Sequence, residues 1–246
     1  MSNEMSFFEY SNNVKTPLVL IECNAPAENK IFRNTIDTYH SYVKYKDSPT
    51  RRIRWLVYET ISGNLVGAVG ISSATIAISC RDNYIGWDKD KRLKNLGMIA
   101  NNNRCCFIRD NITIKNLGSQ TLKIISKAGQ KRWLEKYNQP LVMLETYVQP
   151  ARSEEFNGHI NRNGALYKAS NWIEIGKTSG NSIRKGPLLL WKREKTARGE
   201  LARINPKAAL EKYGYQDGKE YVVTKSPSKI MFVKPLVKNW KEILNR

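Results

Sequence analysis

The chain of 246 residues carries 41 Lys and Arg residues against 22 Asp and Glu residues, a formal net charge of +19. Charge this far from zero adds self-repulsion to the compact state and favours a polyanionic partner, which we expect to be DNA. A merely soluble basic protein, or one bound to anionic membrane, is the alternative. A hydrophobic content of 41% excludes a disordered polycation.

Apolar runs are short throughout the chain. None approaches the ~18 consecutive apolar residues that a membrane span requires. The run over residues 17–21 follows no basic N-terminal region, so it does not resemble a signal peptide. We therefore expect a cytoplasmic protein, associated with the nucleoid and without a membrane partner.

The four cysteines, Cys23, Cys80, Cys105 and Cys106, form no C-x-x-C pair. Adjacent Cys105 and Cys106 point to opposite faces if they lie in a strand. The spacing favours neither a zinc ribbon nor a disulfide framework. Reduced, buried thiols are the prediction.

Hydrophobic periodicity and turn residues predict an initial strand, a helix and a β-meander, followed by the order strand–helix–strand–loop–helix–strand. The predicted strands cover residues 18–23, 51–59, 65–72, 104–108, 141–148, 172–176 and 229–233. The predicted helices cover residues 27–39, 89–99, 117–137, 164–170 and 192–203, the last of them strongly charged. This order predicts an α+β (mixed α/β) fold with a central mixed sheet flanked by helices. We expect a main domain over residues 1–180 and a basic C-terminal extension over residues 181–246, packed on it.

The start of the helix after residue 116 is the first candidate site. Asn116 is a plausible N-cap, and Gly118 and Ser119 follow in the first turn. A glycine there lets backbone N–H groups approach a phosphate, which the helix dipole also favours. The segment resembles the helix start of GNAT acetyltransferases, where a glycine-rich turn holds the pyrophosphate of acetyl-CoA. An ordinary helix N-terminus explains it equally well.

The two histidines, His40 and His159, form the second candidate site. Histidine suits proton transfer near neutral pH and is a common metal ligand, although a lone histidine is usually structural. His159 follows the predicted central strand that carries Glu145. If the three side chains converge, they form a general-base site or a one-metal site for iron or another divalent ion.

The third candidate site combines Asn, Arg and aromatic side chains, which suit hydrogen bonding and stacking on an extruded base. The candidate base contacts are Arg81, Trp87, Asn101, Asn102 and Arg104. A turn with an Asp–Arg pair and a packed Trp is the alternative. The candidate phosphate contacts are Arg51, Arg52, Arg54, Lys192 and Arg193.

Several blocks together resemble two related groups: the DruA-like proteins of the Druantia anti-phage system, and the Mom-type phage DNA modification proteins. The resemblance spans roughly residues 36–180. Its blocks are His40-Ser-Tyr, Arg54-Trp-Leu-Val-Tyr, Leu65-Val-Gly-Ala-Val-Gly, Arg81-Asp-x-x-Ile-Gly-Trp87, Asn101-Asn-x-Arg104, Glu145-Thr-x-Val and Tyr167-Lys-Ala-Ser-Asn-Trp-Ile-Glu-Ile-Gly176.

The resemblance implies a GNAT-like enzyme that adds a carbamoylmethyl-type group to the N6 amine of adenine in DNA, which protects the DNA from restriction. It marks His40, His159 and Tyr167 as catalytic candidates, with acetyl-CoA or another acyl- or glycine-derived donor. Relatives often carry an Asp shortly after the central Glu-Thr, where this chain has Gln149, so a carboxylate role passes to Glu145 or is absent. A non-catalytic DNA-binding defence component and an ordinary acetyltransferase are the alternatives. The donor, the metal, the DNA sequence preference and the oligomeric state stay open.

Overall fold

The structure, a computed structural model, describes residues 17–40, 45–46, 50–150, 163–178, 182–185, 193–195, 201–203, 222–225 and 228–246. The strands are β1 (Leu18–Glu22), β2 (Arg52–Glu59), β3 (Leu65–Ser73), β4 (Ile99–Phe107), β5 (Met143–Val148), β6 (Ile173–Lys177), β7 (Ser182–Lys185), β8 (Arg193–Lys195), β9 (Leu201–Arg203), β10 (Val222–Lys225) and β11 (Ile230–Pro235). The helices are α1 (Pro26–Tyr39), α2 (Ser79–Ile85), α3 (Lys89–Asn95), α4 (Leu117–Tyr137), α5 (Ala165–Ala169) and α6 (Trp240–Asn245).

The chain divides into two compact units. The first comprises Met1–Thr178 and Lys229–Arg246, and the second comprises Ser179–Ser228. Residues 229–246, which the sequence analysis grouped with the C-terminal extension, contribute β11 and α6 to the first unit. In the second unit β7 pairs with β10, and β8 pairs with β9, both antiparallel.

A seven-stranded sheet forms the centre of the first unit, in the order β1-β2-β3-β4-β5-β11-β6. Every neighbouring pair is antiparallel except β4 and β5, which are parallel. Parallel neighbours need a long crossover, and α4 lies within it. The predicted α+β class, with a mixed central sheet flanked by helices, is confirmed.

Alternate residues of the central strands are buried against helices on opposite faces of the sheet. Trp55 of β2 belongs to the core cluster that contains Ile125 and Trp133 of α4. Its neighbour Leu56 belongs to the cluster that contains Phe32 of α1. Because successive strand residues point to opposite faces, the sheet buries both of its faces.

The adjacent cysteines follow the same alternation, as predicted. Cys106 belongs to the cluster under α1, whereas Cys105 packs against the cluster under α4. All four cysteines are free thiols. Only Cys106 is fully buried, and the other three are partly exposed, so burial is less complete than predicted.

Three predicted elements differ from the structure. The charged helix predicted over residues 192–203 is wrong, because Arg193–Lys195 and Leu201–Arg203 are paired strands. Gly199 interrupts the segment, and glycine disfavours a helix interior. The predicted helix over 89–99 ends at Asn95, and β4 begins at Ile99 rather than at residue 104. In the described part of the chain, no helix has the length and apolarity that crossing a membrane requires.

Candidate functional site

The principal cleft opens where the parallel strands β4 and β5 separate. Their pairing joins Ile99–Asn101 to Met143–Glu145. The following residues of both strands line a cavity of about 470 Å³ instead. We call this cavity the β4–β5 cleft; its walls also include the end of α1 and the start of α5. The lining residues are Tyr39, His40, Asn102, Asn103, Cys105, Cys106, Phe107, Arg109, Ile112, Thr146, Tyr147, Val148, Gly164, Ala165, Leu166 and Tyr167.

The cleft has the volume and the chemistry of a small-molecule site. Ligand pockets commonly measure about 300 to 1,000 Å³, with apolar walls and a few placed polar groups. Here Phe107, Ile112 and Leu166 supply apolar wall, and Arg109 supplies a cation. Because strand pairing ends at the mouth of the cleft, an extended ligand with amide groups has strand backbone beside it.

Tyr167 is the best-positioned predicted catalytic residue. It lines the cleft, and its hydroxyl donates a hydrogen bond to Oδ1 of Asn102 at 3.0 Å. Oγ1 of Thr146 lies 3.4 Å from the same hydroxyl. The ring stacks on Phe232 of β11 with a centroid separation of 5.8 Å. Helix, strand and hydrogen bonds therefore hold the hydroxyl at a fixed place in the cleft.

Gly164 lets α5 lie close enough to β11 for this arrangement. Its φ is +79°, a left-handed conformation that glycine adopts without strain. A Cβ at this position would lie 2.4 Å from two ring atoms of Phe232. Both the backbone conformation and the close approach therefore require glycine at the start of α5.

His40 also lines the β4–β5 cleft, at the C-terminal end of α1. His159 lies outside the described residues, so its predicted convergence with His40 stays a prediction. Within the part of the chain that the structure describes, no group of three or more His, Cys, Asp or Glu side chains is arranged to hold a metal ion. The predicted metal site of His40 and His159 likewise stays a prediction.

Glu145 lies beside the cleft, but its carboxylate points into a buried ionic network. The side chain is fully buried, and Oε2 accepts a hydrogen bond from Nη1 of Arg81 at 3.2 Å. Oε1 accepts a hydrogen bond from the hydroxyl of Tyr147 at 2.6 Å. Burial raises the pKa of this carboxyl, and the Arg81 guanidinium opposes that rise. The geometry makes Glu145 a partner of Arg81 rather than a group facing the cleft.

Arg81 and Trp87, two predicted base contacts, lie inside the protein. Arg81 is 0% exposed, and its guanidinium also bonds Asp82 at 2.8 Å and the backbone carbonyls of Thr75 and Ile76. The guanidinium lies 5.6 Å from the ring centroid of Trp87, whose Nε1 donates to the carbonyl oxygen of Leu244. This region therefore matches the alternative interpretation of the sequence, an Asp–Arg pair beside a packed Trp.

The start of α4 adjoins the cleft. Asn116 is the N-cap of α4, as predicted, although its φ is +56° and its side chain makes no hydrogen bond to the first turn. Asparagine is among the few residues that tolerate this left-handed conformation. A Cβ at Gly118 would lie 2.4 Å from Cδ1 of Leu166, so this glycine allows α4 and α5 to pack closely. Ser119, the third predicted donor contact, is partly exposed in the same turn.

Three of the remaining nucleic-acid candidates, Arg52, Arg54 and Arg104, lie on the sheet face that α1 covers. Arg52, Arg54 and Arg104 line one small pocket, whereas Arg51 lines a different one near Trp133. Asn102 is buried, and its amide donates to the carbonyl oxygens of Gly70 and Arg104. Asn101 is partly exposed. Lys192 lies outside the described residues, and only the backbone of Arg193 is described.

Some cleft residues were not predicted from the sequence. Tyr147 and Arg109 both line the cleft, and Cys105 contacts the hydroxyl of Tyr167. Burial raises the pKa of the Cys105 thiol to about 12, which keeps it protonated. The sequence signal was the dense apolar strand around Glu145, which located β5 but not the point where it separates from β4.

The fold and the cleft define an α+β protein with a ligand-sized site between two diverging parallel strands. The sequence profile of the family described as Druantia protein DruA matches residues 2–184. The chain therefore belongs to the DruA family, as its sequence blocks indicated, and so to an anti-phage defence family. No curated protein matches the sequence.

Solved structures similar to this one include acetyltransferases. The ribosomal-protein-S5-alanine acetyltransferase from Vibrio fischeri is 10% identical, with a TM-score of 0.34 over 77% of this chain. The chain spans 63% of that enzyme's length. Nourseothricin acetyltransferase is 11% identical, with a TM-score of 0.40 over 90% of this chain and 100% of its own. Neither activity nor substrate follows from similarity at this level.

Proposed function

We propose that the chain is a transferase that modifies DNA. It takes an acyl- or glycine-derived group from a donor in the β4–β5 cleft and places it on the N6 amine of adenine. The observation that carries the proposal is the 470 Å³ cleft with the Tyr167 hydroxyl held on its wall and His40 on its lining. Its refinement to a carbamoylmethyl-type group rests on the resemblance to Mom-type proteins.

The described residues fit a donor that carries a phosphate, such as acetyl-CoA. The first N–H groups of α4 have no partner within the helix, and the helix dipole favours an anion there. Lys115 is exposed just before the helix, and Arg109 lines the adjoining cleft. Leu166 packs closely on Gly118 and blocks that side of the helix start. A phosphate would therefore be held by the N–H groups at the N-terminal end of the helix.

A donor thioester supplies an activated carbonyl, and the protein supplies the proton transfers. Transfer forms an N–C bond to the amine and breaks the C–S bond, so one proton leaves the amine and one reaches the departing sulfur. His40 suits the first role, because histidine is the side chain best suited to proton transfer near neutral pH. Tyr167 suits the second, because its O–H is fixed in the cleft and hydrogen-bonded to Asn102.

The acceptor is assigned to DNA because of charge. The net charge of +19 favours a polyanion, and cations lie on the same face of the sheet as the His40 end of the cleft. An exocyclic amine within a base pair is inaccessible, so the enzyme would act on an extruded or single-stranded adenine.

Calorimetric titration with acetyl-CoA tests the donor half of the proposal. We expect the wild-type protein to bind, and we expect Ala165→Trp to bind weakly, because Ala165 is an exposed cleft residue and a tryptophan there fills the cavity. Leu134→Trp is the matched control, since Leu134 is 50% exposed on α4 and does not line the cleft. Equal binding by both variants would contradict a donor site in the cleft.

A non-catalytic DNA-binding role in defence is the second candidate function. It is favoured by Glu145, the predicted carboxylate, whose oxygens are engaged by Arg81 and Tyr147 inside the protein. A protein of this kind would bind DNA without altering it and would show no donor binding. The two functions therefore separate on whether bound DNA is chemically changed.

A further inference from the structure

Helix α4 concentrates positive charge on one side of the central sheet. It carries five cations and one anion, whereas α1, which packs on the opposite face of the sheet, carries two of each. From residue 111 to residue 134 the chain contains no acidic residue at all. Solvent-exposed helices commonly interleave charges of both signs. The charge of α4 is therefore one-sided, and it distinguishes the α4 side of the sheet from the α1 side.

Two lysines lie on the solvent face of α4. Leu122, Ile125 and Trp133 are buried in the core cluster beneath the helix, and this packing fixes the rotation of the helix. Lys123 and Lys127 are exposed on the side that faces away from the sheet. Residues i and i+4 of a helix are surface neighbours, about 6 Å apart along the helix axis. We call Lys123 and Lys127 the lysine ridge.

The charge of the lysine ridge is not offset by other groups in the described part of the chain. Neither ammonium group has a hydrogen bond or an ion pair there. The positions three and four residues away on either side hold no acidic side chain, and the two lysines repel each other. Lys131, the next lysine along the helix, differs because Oε1 of Glu135 lies 3.9 Å from its Nζ. An external anion would therefore stabilise the ridge.

The lysine ridge lies on the same side of the sheet as the Tyr167 hydroxyl. Tyr167 and the buried face of α4 belong to one core cluster. At the start of α4, a Cβ on Gly118 would contact Leu166 and Phe107, both of which line the β4–β5 cleft. Lys123 follows Gly118 by five residues, which is about 7.5 Å of helix. A polymer that leaves the cleft along α4 therefore meets the ridge.

A phosphate backbone fits the ridge better than a membrane surface does. A helix that lies on a membrane inserts its apolar face, whereas the apolar face of α4 is buried against the sheet. Lysine binds phosphate as a point charge. The separation of the two lysines along the helix exceeds the roughly 3.4 Å axial spacing of phosphates on one strand of double-stranded DNA. Each lysine therefore has a separate phosphate within reach.

We infer that the lysine ridge binds two backbone phosphates of the DNA acceptor, in the segment that flanks the nucleotide whose base enters the β4–β5 cleft. Contacts of this kind position a strand without reading its sequence. The inference rests on the proposed function for the identity of the acceptor. It adds the path that the backbone of the acceptor takes outside the cleft.

The test measures binding of fluorescent single-stranded oligonucleotides to the full chain, by anisotropy across a series of salt concentrations. In Lys123→Gln/Lys127→Gln the affinity should fall roughly tenfold at about 0.1 M salt, and the slope of log affinity against log salt should shrink by about 1.4, or about 0.7 for each phosphate. The loss should be equal for an oligothymidylate and an oligoadenylate of the same length. Glutamine and lysine have similar helix propensities, so the fold is retained.

Two control variants separate the ridge from general charge. Lys123→Arg/Lys127→Arg keeps both charges and should bind like the wild type. Lys30→Gln/Lys89→Gln removes the same charge from exposed residues of α1 and α3, and it should bind nearly as well as the wild type. An equal loss of affinity in the α1/α3 variant would show a general charge effect and overturn the inference. Unchanged binding in the glutamine variant of the ridge would overturn it as well.

Two further measurements test the partner and the proposed function separately. Vesicles of phosphatidylcholine and phosphatidylglycerol replace the oligonucleotide in the first, and ridge-dependent binding to vesicles by a protein that binds no oligonucleotide would overturn the inference. The second measures nucleoside composition of DNA from expressing cells. Ridge-dependent oligonucleotide binding with unmodified DNA would support the inference and overturn the transferase, whereas modified DNA without any effect of the ridge on binding would do the reverse.

Discussion

Replacing Arg81 with Met should destabilise the protein strongly without touching the cleft. Arg81 is 0% exposed and provides the cation that faces fully buried Glu145 at 3.2 Å. Methionine fills a similar volume but leaves the Glu145 carboxylate with only neutral donors, the Tyr147 hydroxyl and the Thr75 N–H. A buried charge that loses its counter-ion is among the most costly single changes a protein can suffer.

The expected magnitude follows from distance and environment. At 3.2 Å and an effective dielectric constant of about 20, the attraction between Arg81 and Glu145 is about 5 kcal/mol. Removing one partner of a buried pair typically costs about 3 to 5 kcal/mol, and we expect a loss in this range. Total stabilities are about 5 to 15 kcal/mol, so a large part of the stability would be lost.

Urea unfolding followed by tryptophan fluorescence measures the effect. The double variant Arg81→Met/Glu145→Gln should recover part of the loss, because no uncompensated charge is left in the interior. A cost below about 1 kcal/mol for Arg81→Met would refute the reasoning. So would a Glu145→Gln variant that keeps full stability but loses transferase activity, since Glu145 would then be catalytic.

Three further predictions concern pH, backbone and thiol. Burial raises the pKa of Glu145 in the folded state above its ordinary value of 4.5, so the contribution of Glu145 to stability is complete below that pH and is lost as pH rises through the raised pKa. In denaturation series from pH 4 upward, the free energy of unfolding of the wild type should therefore fall relative to that of Glu145→Gln. A difference that stays constant with pH would argue against this. Gly164→Ala should lower the free energy of unfolding by about 2 to 5 kcal/mol, because it adds left-handed strain and a clash with Phe232. The control Gly63→Ala, where φ is +70° and the space is open, should lower it by only about 1 to 2 kcal/mol in the same thermal melts. Equal losses of stability in the two variants would exclude the clash. The Cys105 thiol, whose pKa burial raises to about 12, should react slowly with a thiol reagent at pH 8 and more slowly still with donor bound, measured against Cys105→Ala; fast labelling unaffected by donor would contradict its place in the cleft.

Much of the fold was predictable because periodicity is local. The aromatic and branched apolar residues between Arg52 and Glu59 and the turn at Gly63 specify two paired strands, and the apolar run ending at Val148 specifies a central one. Non-local pairing was not predictable. Nothing near residues 230–235 in sequence reveals that this strand inserts between β5 and β6.

The candidate site was predicted in its residue types more than in its geometry. Tyr167 and His40 do line one cleft, yet Glu145 turns away to Arg81, which is 64 residues distant in the chain. Arg81 and Trp87 are residue types that suit base recognition, but both side chains are buried and therefore do not face a DNA base. The sequence does not show whether a charged or aromatic side chain lies in the core or on the surface. Only the packing of α2 shows that Arg81 and Trp87 are buried.

Mass spectrometry of nucleosides tests the central claim most directly. DNA from cells that express the wild-type protein would be digested and compared with DNA from cells that express Tyr167→Phe, which removes only the hydroxyl bonded to Asn102. The account predicts a deoxyadenosine of increased mass with wild type, and much less of it with Tyr167→Phe. Unmodified deoxyadenosine from cells in which the folded wild-type protein binds DNA would contradict the account and leave a DNA-binding defence component.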